Sequence, residues 1–200
     1  MLLSAAALCA GLALAGPPAF AVTTGSGGAE AVRAFYTTLL DTMRNGPQLG
    51  AQGRYARLAP AISRNFDIPF MTRLAVGPDW NTLTPAQQTQ VTQAFSRYVV
   101  AVWAERFHKY DGEQLKVTGE EASPAGTVIL SQIVDSSGQP THINYLMRQG
   151  GSGWQIADIY LDGTISELAT RRSEFGSILK TQGINGLIQA LNSKAAALAS

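Results

Sequence analysis

Beyond Gln114 the chain stops reading as helix and becomes four strand-like stretches with very little between them. "EQLKVTGEEAS", "GTVILSQIVDSSG", "PTHINYLMRQGGSG" and "WQIADIYLDG" are rich in β-branched and aromatic residues, and Gly, Ser, Pro or Asp marks each boundary. Connections this short hold no crossover, so consecutive strands must pair antiparallel. Such a sheet needs one face covered. The third stretch suggests which: Ile143, Tyr145 and Met147 alternate with His142, Asn144 and Arg148.

The cover has to come from helices on either side of these strands. Residues 29–44 carry an apolar stripe of Val32, Phe35, Tyr36, Leu39 and Met43. "NGPQLGAQG" reads as a break, and a second helix is expected over 54–64, leading to Phe66. Pro69 opens a short helix that includes Phe70, Leu74 and Ala75. The strongest start signal is "TLTPAQQ": Thr84 at the N-cap, Pro85 at the first helical position and Gln87 completing a capping box. That helix is expected to reach about residue 110, with Val91, Phe95, Tyr98, Val99, Val102, Trp103 and Phe107 apolar. Residues 165–180 and 185–198 read as two closing helices, broken at Gly183. Helices, then a meander, then helices describe an α+β fold.

The first residues stand apart. "LLSAAALCAGLALAG" is apolar and uncharged, and Ala19-Phe20-Ala21 offers a small-residue cleavage site, so residues 1–21 read as a secretory signal peptide. No Lys or Arg precedes the run. Residues 22–28 form a Gly/Ser-rich leader, and 29–200 a single domain. The only cysteine, Cys9, lies in the signal, so stability must come from packing and not from disulfides. With 15 basic and 14 acidic residues the chain lacks the surplus positive charge of a nucleic-acid binder.

Chemistry is hard to find. His108 and His142 have no cysteine partner and no zinc spacing, so neither metal nor cofactor is expected. Asp158 and Asp162 share a strand face, but about 13 Å separates their Cα positions at the usual rise, wide for paired carboxylates. Asp162-Gly163 reads as a turn. Asp158 reads as a structural acceptor of backbone amides or of a nearby Arg171 or Arg172; an anionic head group on those arginines is the functional alternative. The enzymatic reading uses Asp158 as acid or base with Tyr145 or Tyr160. What the chain does supply is large apolar side chains: Phe66, Phe70, Met71, Leu74, Trp80, Phe95, Val99, Trp103 and Phe107 among the helices, with Ile143, Tyr145 and Met147 on the sheet. Periodicity does not separate core from pocket among them.

The order of motifs is more informative. "GPDWNTLTPAQQTQVTQAFSRYVVAVWAERFHKYDGEQLKV" and "INYLMRQGGSGWQIADIYLDGTISELATRRSEFGSILKTQGINGLIQAL" resemble the MlaC family of periplasmic lipid carriers, also called toluene-tolerance auxiliary proteins. Trp154, Asp158, Asp162-Gly163, Ser166, Arg172, Phe175, Gly183, Leu187 and Leu191 fall on the family's motif positions. The chain departs from the pattern at Asp162, where the family has Glu, and at Arg171, where it has Tyr. This drift is equally similar to the hopanoid-associated, HpnM-like branch. The resemblance implies a curved antiparallel sheet of four to five strands, shaped like the nuclear-transport-factor cone and closed by extra helices. It implies a monomeric, periplasmic, non-enzymatic carrier of phospholipid or hopanoid, served by an inner-membrane transporter and an outer-membrane partner. Its lipid-lining set would be Phe66, Phe70, Leu74, Trp80, Phe95, Val99, Trp103, Phe107, Ile143, Tyr145, Met147, Ile159 and Leu161. Asp158, Asp162 and Arg172 would form the scaffold of the pocket mouth.

Overall fold

The computed structural model describes residues 27–151 and 153–200. The signal peptide expected over residues 1–21 lies outside them, as does most of the leader. Helices α1 (Gly27–Arg44), α2 (Gly46–Asn65) and α3 (Ile68–Val76), a 3-10 turn (Gly77–Thr82) and α4 (Pro85–Arg106) come first. Strands β1 (Gln114–Ser123), β2 (Gly126–Val134), β3 (Pro140–Gly150) and β4 (Gly153–Leu161) follow, then a two-residue β5 (Ile165–Ser166) and α5 (Glu167–Leu198). All strands join one antiparallel meander in sequence order, and the architecture is the expected α+β.

The helix starts follow local chemistry. Thr84 accepts from the Gln87 amide at 3.2 Å while Gln87 Oε1 accepts from the Thr84 amide at 3.0 Å, the capping box as read. Asp67 caps α3 by accepting from Phe70 N–H at 3.1 Å. Four boundaries differ from expectation. α1 already includes Gly27 and the buried Gly28, both in the expected leader. α2 begins at Gly46, not near Arg54, because Pro47 falls in its first turn, where a missing N–H costs nothing. α4 ends at Arg106, a turn early. Ile165 is not helical: it pairs with Leu161 in β5, and Ser166 caps α5. Both long helices bend at a glycine. Gly50 (φ 63°, ψ −179°) and Gly183 (φ 64°, ψ −169°) occupy a region that side chains essentially forbid.

The core lies between the helices and the inner sheet face. Phe35 of α1 meets Phe66 and Trp103 edge-on, with ring centroids 5.2 and 5.0 Å away. Each such pair adds roughly 0.5–1.5 kcal/mol beyond the area it buries. Where β2 faces α1, Tyr36 Oη and Ser131 Oγ are 2.6 Å apart, and Ser131 also donates to the Ile143 carbonyl. In β4 the register slips between the Leu146–Asp158 and Met147–Ile156 pairs, leaving Ala157 as an extra residue. This bulge lets Ile156 and Ile159, three residues apart, both face inward, and it bends the strand.

Candidate functional site

Two small apolar compartments lie where α4 crosses β3 and β4 beside the first turns of α5. One, of about 50 Å3, is lined by Met71, Phe95, Tyr98, Val99, Val102, Trp103, Ile159 and Leu168, with Glu167 and Arg171 as its charged members. The other, also about 50 Å3, is lined by Val102, Trp103, Phe107, Ile143, Ile159 and Leu161, with Arg106 and Glu167. Val102, Trp103, Ile159 and Glu167 belong to both, so these residues form their common wall. Larger hollows exist on the outside. One of about 520 Å3 runs between α4 and the second half of α5, and one of about 280 Å3 continues it toward α2. They are open, and the larger is lined chiefly by amides such as Gln90, Gln93, Asn185 and Gln189. The Arg97–Asn192 hydrogen bonds at 3.0 and 2.8 Å lie where the two meet. Being open, both hollows leave a bound group in contact with water.

The charged rim of the compartments is built on α5. Arg171 donates to Glu167 Oε2 at 3.1 Å and to Glu174 Oε2 at 2.9 Å, one turn away on either side, and its guanidinium lies 5.5 Å from the centre of the Tyr98 ring. Burial works against the Arg171 charge, but Tyr98, Glu174 and Glu167 outweigh it, and its pKa is raised. Burial also pushes the Tyr98 phenol up, with Arg171 opposing.

Asp158 does structural work nearby. Its Oδ2 accepts from Ser166 Oγ at 2.6 Å, and its Oδ1 accepts from Leu168 N–H at 3.2 Å and Ile159 N–H at 2.7 Å. Ser166 Oγ in turn accepts from Ala169 N–H at 3.0 Å. The carboxylate therefore fixes the end of β4 to the first turn of α5. It sits opposite Leu146, on the strand face turned away from Ile159. Among the described residues no cluster of three His, Cys, Asp or Glu is gathered as a metal would need.

A family model described as the MlaC protein matches residues 33–193. The chain belongs to the MlaC family. A solved structure similar to this family member is a phospholipid-binding protein from Ralstonia solanacearum, in complex with a phospholipid. It is 22% identical, the match covers 86% of this chain and 99% of that one, and the TM-score is 0.75. At that identity the likeness establishes a shared fold.

Against this fold the expected lining residues divide. Phe95, Val99, Trp103, Phe107, Ile143, Ile159 and Leu161 face the compartments. Phe66, Tyr145 and Met147 pack in the closed core. Phe70 lies under the Arg148 guanidinium, 4.1 Å from its ring centre; Leu74 is 39% exposed on α3; Trp80 sits in the 3-10 turn. The three residues expected at the pocket mouth also take different places. Arg172 lies against Gly77, where an added Cβ would be 3.0 Å from its Nε, and it makes no ion pair among the described residues. A residue advances about 100° around a helix, so Arg171, one turn beyond Leu168, takes the cavity side and Arg172 turns toward α3. Asp162 shapes the turn with φ 48°, and the N-cap of α5 is Ser166. Sequence reasoning omitted Glu167 and Arg106 from the site. The spacing of Glu167 and Arg171 is the signal that would have found the first.

Proposed function

We propose that this protein is a soluble periplasmic carrier that holds lipid tails between α4 and the β3–β4 face and moves lipid between the outer and inner membranes. The observation that carries the proposal is the paired compartment, lined mainly by apolar side chains, with Glu167, Arg171 and Arg106 as its charged members. The family and the phospholipid held by the Ralstonia neighbour support it. Each buried methylene is worth ~0.8 kcal/mol, so a sixteen-carbon tail opposes exposure to water by about 13 kcal/mol. A protein carrying such tails across an aqueous space needs an enclosed apolar cavity and no reactive group. Compartments of about 50 Å3 take only a few water-sized groups. Loading therefore requires α4 and the sheet to part around Val99, Val102 and Trp103. An inner-membrane transporter and an outer-membrane partner complete the route, with phospholipid or a hopanoid as cargo.

The enzymatic alternative draws no support from Asp158, whose two oxygens are occupied by Ser166, Leu168 and Ile159. The deciding experiment is native mass spectrometry of protein taken from a native-type periplasm, followed by solvent extraction. A stoichiometric phospholipid or hopanoid is expected. A clean protein mass with an empty extract would overturn the carrier.

A further inference from the structure

The rim of the compartments carries more chemistry than enclosing a tail requires. Arg106, the last residue of α4, lines one compartment, is exposed, and makes no ion pair among the described residues. Its planar fork of donors suits a phosphate. Glu167 lines both compartments. Arg171 holds its Oε2, while its Oε1 has no hydrogen-bond partner among the described residues. Two first-turn amides of α5 are already engaged: Leu168 N–H serves Asp158 and Ala169 N–H serves Ser166. Arg171 is held by Glu167 and Glu174, so among the described residues Arg106 is the cation at this rim that is free to meet a phosphate.

Resting on the carrier reading above, we propose that Arg106 and Glu167 form a subsite for a zwitterionic phospholipid headgroup, the phosphate on Arg106 and the ammonium on Glu167. The charges around the mouth balance, Arg106 and Arg171 against Glu167 and Glu174. A headgroup that is only anionic satisfies Arg106 and meets Glu167 as a like charge. A phosphoethanolamine group carries its ammonium two carbons beyond the phosphate ester and satisfies both. Arg171 holds the Glu167 carboxylate in place through its Oε2.

The test offers the protein vesicles with equal phosphatidylethanolamine and phosphatidylglycerol of identical acyl chains, and reads the headgroups of the loaded lipid by mass spectrometry. The ratio of ethanolamine to glycerol lipid on the loaded protein should exceed the offered ratio by roughly two- to five-fold, the range of an exposed ion pair. Glu167→Gln should return the ratio to about one. Arg106→Gln should reduce, by a similar factor, the preference for phosphatidylethanolamine over diacylglycerol of the same chains. Loaded protein with the two phospholipids in the offered ratio, or a ratio that survives Glu167→Gln, overturns the subsite and leaves the carrier standing. Protein that takes no lipid from any vesicle overturns both.

Discussion

Tyr145→Phe is expected to make the protein more stable, the reverse of the usual effect of deleting a buried hydroxyl. The Tyr145 ring is fully enclosed and packs edge-on to Tyr36 with centroids 5.9 Å apart. Its hydroxyl lies near that of Tyr36, but the contact is not a well-formed hydrogen bond, and Tyr145 Oη is left without a partner among the described residues. Tyr36 is already engaged with Ser131. An unsatisfied buried hydroxyl costs about 1–3 kcal/mol, whereas a satisfied one contributes about 1. Phenylalanine keeps the ring and its edge contact, so about 1–2 kcal/mol should be recovered. In a domain this size that raises Tm by roughly 2–8 °C. Urea and thermal melts at neutral pH measure it directly. The same change should alter the alkaline limb. Burial pushes the Tyr145 phenol well above its usual value, and the Tyr36 phenol is also raised. The folded state thus retains protons that the unfolded chain has lost, so stability is whole below about pH 10 and falls above it. With Tyr145 gone the fall should be shallower. A loss of 1 kcal/mol or more at neutral pH would refute the reasoning, since it would mean the hydroxyl is bonded.

Other substitutions test the remaining parts. Val102→Trp, placed in the wall common to both compartments, should abolish lipid loading in vesicle exchange while circular dichroism and a cooperative melt show a folded protein. Asp158→Ala should cost about 2–4 kcal/mol in urea unfolding, because it strands the Leu168 amide and frees Ser166. Gly183→Ala should cost about 1–3 kcal/mol, since a side chain there cannot reach the bend without strain; a neutral result would mean the kink is not required.

Local chemistry was legible in the sequence wherever it is settled within a few residues. The Thr84–Gln87 box, the hairpin turns and the bend at Gly183 each depend on residue types that have one favourable backbone role. Pro47 was misread because the same residue that breaks a helix interior fits a helix start, and the difference is where the helix begins. The bulge at Ala157 was invisible because alternation alone does not announce an extra residue. Counting back from Asp158 by twos puts Ile156 on the outer face, whereas the slip turns it inward. The division between lining and core was the least legible. Phe66 and Phe95 look alike in sequence. One meets Phe35 and Trp103 across a filled gap, and the other faces the space that α4 leaves open. Arg171 and Arg172 pose the same problem with charge: one step around the helix decides which faces the cavity.

Because each strand of the sheet pairs only with its neighbour in sequence, the meander can zip from one hairpin to the next with short loops to close at each step. The helices have no such convenience. Phe35 needs Trp103, nearly seventy positions later, and Tyr36 needs Ser131, 95 positions along. In a chain that emerges from its amino end, α2 and Phe66 reach α1 early, but the side of α1 that meets Trp103 and Ser131 waits uncovered until α4 and β2 have appeared. The interval before β2 arrives is therefore when this protein is most exposed to aggregation or to a chaperone's grip. Substitutions that slow the hairpins should reduce yield more than they reduce final stability.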